Sequence, residues 1–211
     1  MAVLIAAMAL IGCVHEQAAG TEPVPTTEAA AKPAYEPSRW LAAKGTALVV
    51  MDMQVGFMPV ARAGTVVPAI QALVAAADAA GALVVWVYTD DMLARQGSSY
   101  FEVAPPLVPA EGHERVVKTG SSAFGGTDLA AILEARGIGR LVFCGLASNG
   151  CVRASVESSM GAGYLTVVAE DAHTVPTMAG TAESIDRMNE LWRADGRVEL
   201  LPAASISFAA P

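Results

Sequence analysis

The sequence predicts a single α/β domain, doubly wound, with a mostly parallel central sheet flanked by helices on both faces. Three observations predict it. Short β-branched apolar runs recur along the chain, and segments with helical periodicity separate them. The 211 residues, 54% hydrophobic and 16% charged, suit one domain with a substantial core.

The apolar runs are Thr46–Met51 (TALVVM), Leu83–Tyr88 (LVVWVY), Leu141–Cys144 (LVFC) and Tyr164–Ala169 (YLTVVA). Strands that are apolar on both faces belong in the middle of a parallel sheet covered by helices. Between them, Val66, Ile70, Leu73, Val74 and Ala77 share one face of a helix that runs to about Ala80, where Gly81 ends it. Thr127 is placed to cap a second helix carrying Leu129, Ile132 and Leu133, which Gly137 terminates. A third is expected from near Cys151 to Met160–Gly161. Ile185, Met188, Leu191 and Trp192 mark a fourth. In such sheets ligands bind beyond the carboxyl ends of the strands, so chemistry is expected just after the apolar runs.

Ahead of this domain, residues 1–12 (MAVLIAAMALIG) are almost purely apolar. They are too few for the roughly 20 residues that span a bilayer, and read as the apolar part of an export signal. Leu10-Ile11-Gly12-Cys13 resembles the lipobox of bacterial lipoproteins, which makes Cys13 the expected lipidation site. The positively charged start usual in such signals is missing, and a buried N-terminal helix or strand is the alternative. Residues 13–39, rich in Ala, Pro, Thr and Glu with no apolar period, are expected to form a flexible tether. The folded domain is then expected over 40–211. On this reading the protein sits in the bacterial cell envelope and meets the membrane only through an N-terminal lipid anchor. If the signal is not functional, the protein is cytoplasmic.

The formal net charge of −8 comes with no basic stripe, which argues against nucleic-acid partners. Cys13, Cys144 and Cys151 form neither a disulfide framework nor a CxxC motif, and His15, His113 and His173 have no metal-binding spacing.

Three polar residues follow apolar runs. Asp52 directly follows the first, in VVMDMQVGFMP. A partly desolvated carboxylate there is a credible proton acceptor, although a turn or N-cap Asp fits the same place. Lys118 follows Val116–Val117 and can hold a neighbouring carboxylate or thiolate, or stand solvated at an edge strand. Cys151 follows the turn around Asn149–Gly150 and is expected to open a helix. Unpaired amides and the helix dipole would lower its thiol pKa and cradle an oxyanion. A small buried Cys is the bland alternative, and Cys144, inside a strand, fits that better.

Taken together, the segments ALVVMDMQVGFMP, VVKTGSSAFGGTDLAAIL, LVFCGLASNGCVRASVESSMGAGY and VVAEDAHT resemble the isochorismatase-like cysteine hydrolases. That group includes nicotinamidases, N-carbamoylsarcosine amidohydrolases and isochorismatases, and the resemblance runs over roughly 45–201. It implies a Rossmann-like fold in which Asp52 takes the thiol proton, Lys118 holds the charge and Cys151 attacks a carbonyl carbon. A thioester follows, and water hydrolyses it. By position it also implies a cis peptide bond between Leu146 and Ala147, and an oxyanion hole from the amides of Ala147 and Cys151. Association into homo-oligomers is implied only by the resemblance.

The chain departs from the pattern at the metal. Nicotinamidases of this group carry an Asp and paired histidines, whereas VYTDDMLARQGSSYFEV holds Asp90 and Asp91 without a histidine. No metal and no other cofactor are therefore expected, and nicotinamide is disfavoured as substrate. Isochorismatases acting on a vinyl ether often lack the Cys, so Cys151 favours cleavage of a C–N bond. Gln54, Phe57, Tyr88 and Phe124 are expected to line the mouth and bind a small, neutral, amide-like molecule. His173 is expected to serve as a strand-end hydrogen-bonding residue. Two other functions remain open: a vinyl-ether hydrolase using Asp52 without the Cys, and a non-catalytic, surface-anchored binding lipoprotein.

Overall fold

The structure, a computed structural model, describes residues 36–209; the expected signal, Cys13 and the tether up to residue 35 lie outside the described residues. A short helix, α1 (Ser38–Ala42), comes first and starts two residues before the expected domain boundary. Six strands follow in one sheet: β1 (Gly45–Met51), β2 (Leu83–Thr89), β3 (Glu114–Lys118), β4 (Ile138–Leu146), β5 (Leu165–Thr174) and β6 (Glu199–Leu201). Their order is β3-β2-β1-β4-β5-β6, and every pairing is parallel.

Alternation along β1 divides the core. Leu48 and Val50 face α2 (Ala63–Ala79) and pack with its Val66, Ile70, Leu73 and Ala77. Ala47, Val49 and Met51 face the other layer, built by Leu129 and Leu133 of α3 (Leu129–Ala135), Val156 and Met160 of α4 (Arg153–Gly161), and Met188 and Trp192 of α5 (Ala182–Asp195). Each large aliphatic or aromatic side chain buried this way contributes roughly 1.5–3 kcal/mol, which is why the covered strands carry no polar alternation. Leu191 does not join its layer: it is 42% exposed, and Asn189 occupies the buried face instead.

Chain order reverses at β1, with β2 on one side and β4 on the other. This switch point gathers loops from different strands at one edge of the sheet. Gly145 sets how closely two of them approach. Its φ is +96°, and a Cβ there would lie 2.2 Å from the Met51 carbonyl oxygen and 2.7 Å from the Met51 nitrogen. Backbone blocks backbone, so only a glycine lets the end of β4 press against the end of β1. Gly145→Ala is expected to destabilise the domain by about 3 kcal/mol or more in denaturant titration. A loss under about 1 kcal/mol contradicts this packing.

Candidate active site

Asp52, Lys118 and Cys151 come from three different strands and meet at the switch point. Asp52 follows β1 in the left-handed region (φ 49°), a conformation that Asp tolerates better than most residues. Its amide donates to the Val87 carbonyl of β2 at 2.9 Å, which fixes the turn. Lys118 is the last residue of β3, and its side chain is buried. Its Nζ lies 2.9 Å from Asp52 Oδ2, 3.3 Å from Cys151 Sγ and 3.2 Å from the Gly120 carbonyl, and also donates to Thr89 Oγ1. Lys118 is therefore not a solvated edge lysine. Asp52 Oδ1 is buried and has no hydrogen-bond donor among the described residues.

Cys151 does not open a helix. It sits inside a π-helical turn, Ser148–Val152, kinked at Gly150, and α4 begins two residues later at Arg153. The Gly150 and Val152 amides both donate to the Ala147 carbonyl, at 2.9 and 3.0 Å, closing the turn. The Leu146–Ala147 peptide bond is cis. Cys151 remains half-buried, whereas Cys144 is fully buried in β4.

The electrostatics differ from the expectation of a depressed thiol pKa. Burial pushes the Cys151 thiol up, the Asp52 charge pushes it further, and Lys118 only partly opposes them. Burial likewise raises the Asp52 carboxyl above the ordinary carboxylate range, against the pull of Lys118. Both shifts favour shared protons over free charges in a low-dielectric site. Both groups therefore hold their protons more tightly than they would in water.

Lys118→Met leaves Asp52 buried without its counter-charge. A loss of about 3–5 kcal/mol in unfolding free energy is expected near neutral pH, shrinking as pH falls and Asp52 gains a proton. Adding Asp52→Asn should recover part of that stability. Equal stability of Lys118→Met and the parent would contradict the buried pair.

The four residues expected at the mouth are placed differently. Gln54 is fully buried; its Nε2 donates to the Thr89 and Phe101 carbonyls, both at 3.0 Å, and its Oε1 accepts from the Thr89 amide at 2.7 Å. Its amide is thereby committed to holding the end of β2, beside the Thr89 hydroxyl that Lys118 meets. Tyr88 stacks on Phe101 with centroids 5.2 Å apart, inside the α2-side core. Phe57 is buried in that same core. Phe124 packs near Tyr164, with ring centroids 5.9 Å apart, and lies partly buried against the core layer of α3, α4 and α5.

Asp91 Oδ1 accepts from the Leu93 and Ala94 amides, and Asp90 Oδ1 from the Gln96 amide. Both carboxylates are thus taken up by their own loop, and the donor set lacks the histidines a nicotinamidase-type centre uses. Among the described residues, no group of three or more His, Cys, Asp or Glu is arranged to hold a metal ion. Nor is any helix among them long and apolar enough to cross a membrane.

The sheet order, the switch-point site and the turn before Cys151 define a class, and comparison with known proteins identifies it. The chain belongs to the isochorismatase family of hydrolases, whose Isochorismatase domain model matches residues 46–195. It is 31% identical over 181 residues to a streptothricin hydrolase of Streptomyces noursei, covering 78% of this chain and 65% of that protein. It is 30% identical over 184 residues to the ureidoacrylate amidohydrolase RutB of Klebsiella variicola, covering 66% of this chain and 78% of that protein. In fold it matches the crystal structure of a cysteine hydrolase from Pseudomonas syringae pv. phaseolicola, with a TM-score of 0.69 and 23% identity over 80% of this chain and 91% of that one.

Proposed function

We propose that this protein hydrolyses the C–N bond of a small amide-like substrate through a thioester on Cys151. The observation that carries this reading is the position of Lys118 Nζ, 2.9 Å from Asp52 and 3.3 Å from Cys151. One cation contacting both an acceptor and a thiol favours a proton moving between them.

Asp52 takes the thiol proton as Sγ bonds to the substrate carbonyl carbon. Its unpartnered Oδ1 is the free acceptor for that proton. Lys118 stays in contact with both partners, so the negative charge that moves from carboxylate to sulfur remains compensated. The carbonyl oxygen, now an alkoxide, faces the amides of Ala147 and Cys151. Collapse breaks the C–N bond, and Asp52 returns its proton to the departing nitrogen. Water then attacks the thioester and gives its proton to Asp52, which passes it to the leaving thiol; carboxylic acid and free enzyme remain.

The name of one relative, a ureidoacrylate amidohydrolase, points to a ureido substrate for that protein, and the amide and ureido class is proposed here. The test is ammonia release from a panel of neutral carboxamides and ureido acids, with the parent and Cys151→Ala run in parallel. Release that depends on Cys151 supports the reading. Activity that survives in Cys151→Ala favours chemistry by Asp52 alone, as in vinyl-ether hydrolysis.

A further inference from the structure

The turn that carries Cys151 is held from behind by a fully buried histidine with no place in the chemistry above. In the parallel pairing of β4 with β5, His173 lies opposite Gly145 and Thr174 opposite Leu146, just before the turn. Nε2 of His173 is 2.7 Å from Asn189 Oδ1 on α5. The Asn189 Nδ2 donates to the Glu170 carbonyl at 3.0 Å, which fixes the amide so that Oδ1 accepts. The proton of His173 therefore sits on Nε2, and Nδ1 faces Ser148 Oγ at 2.7 Å.

Ser148 follows Ala147 directly and precedes Cys151 by three residues in the same turn. Its hydroxyl has one proton and two acceptors within reach, His173 Nδ1 and the Thr174 carbonyl at 2.8 Å. With a neutral ring the hydroxyl donates to Nδ1. With a charged ring, Nδ1–H donates to Oγ and the hydroxyl turns to Thr174. Either way Ser148 is tied to β5, and all three residues are buried.

We propose that His173 is a positioning residue: through Ser148 it holds the 147–151 turn so that the Cys151 sulfur stays in register with Lys118 and Asp52. This rests on the cysteine-hydrolase reading above. Burial pushes the His173 pKa down to about 4, so the neutral ring is the form in use near neutral pH. The charged groups around it are Asp171 on β5, Arg62 at the start of α2, and Asp186 on α5. Glu170, Glu190 and Arg193 line the cleft of about 300 Å³ beside it. Arg62 pairs with Asp186 and Arg193 with Glu170, so neither carboxylate of those pairs is a free counter-charge for a protonated ring. The Trp192 ring closes a further side edge-on, 5.1 Å away.

The test reads the pH midpoint of Cys151 alkylation by iodoacetamide in the full chain. His173→Asn, Ser148→Ala, the double variant and Ser148→Thr are compared, each checked for folding by thermal unfolding. In the parent, the midpoint is expected above the ~8.5 of a free thiol. In Ser148→Ala and His173→Asn it should relax toward ~8.5, the double variant should move no further than either single one, and Ser148→Thr should restore the parent value. With an amide turned over by the parent, kcat should fall about 10- to 100-fold while KM stays within about threefold. If His173→Asn does not fold, Ser148→Ala and Ser148→Thr carry the test alone. A parent midpoint near ~8.5 removes the reactive unit on which the proposal stands. A raised parent midpoint that stays unchanged in folded Ser148→Ala overturns the positioning role alone.

Discussion

Cys151→Ala is expected to lower kcat/KM for amide hydrolysis by at least ~10³-fold, with the unfolding transition little changed. The size follows from the division of labour at the site. Lys118 and Asp52 have no electron pair placed to form the thioester once sulfur is gone; their remaining contribution is binding and electrostatics. The fold should tolerate the change, since Cys151 is half-buried and its backbone bonds, not its sulfur, close the turn. A fall below tenfold would mean that water, activated by Asp52, attacks the substrate directly.

Asp52→Asn is expected to have the second-largest effect, a loss of about 10²- to 10⁴-fold in kcat/KM, as for removal of a positioned base. Its signature in pH is more informative than its size. In the parent, the rising limb of kcat/KM reports deprotonation of Asp52, which burial moves above the usual carboxylate range. The falling limb reports loss of the second proton, from a thiol also raised by burial and by Asp52. The profile should be bell-shaped, with limbs belonging to the coupled pair, one above ~3.9 and the other above ~8.5. Asp52→Asn removes the acidic limb. It also removes a negative charge beside the sulfur, so the midpoint for Cys151 alkylation should fall even as hydrolysis is lost. Alkylation and catalysis moving in opposite directions would separate a proton acceptor from a residue that merely shapes the pocket. A midpoint that rose instead would place the Asp52 charge away from the thiol.

Much of this was legible in the residue pattern because the sheet is parallel and covered. The runs at 46–51, 83–88 and 141–144 each fall in a strand, and that at 164–169 does so from Leu165 onward, with β4 and β5 extending beyond them. β3 left only Val116–Val117 as a trace and β6 left none, since edge strands carry residues such as Glu114, Arg115 and Glu199 that break the apolar run. The site was legible as three residues placed after strands, but its electrostatics were not. A lowered thiol pKa was expected from a helix start at Cys151; the π-helical turn displaces that start, and burial beside Asp52 outweighs it. The expectation that Gln54, Tyr88, Phe57 and Phe124 line the mouth meets side chains turned into the core or onto their neighbours. Whether a side chain beside a strand end turns outward or back into the core depends on the packing of Phe101 and Tyr164, which no local pattern encodes. The Ser148–His173–Asn189 chain was equally hidden, because its members lie 25 and 16 residues apart.

The reactive unit is tested most directly by catching the acyl group. The full chain is mixed with the amide it turns over fastest, quenched in acid within milliseconds, digested and analysed by mass spectrometry. The predicted result is the acyl mass on the peptide bearing Cys151, removed by hydroxylamine and absent in Cys151→Ala. Sustained turnover with Cys151 unmodified at every quench time, together with unchanged activity in Cys151→Ala, would contradict nucleophilic catalysis by this residue.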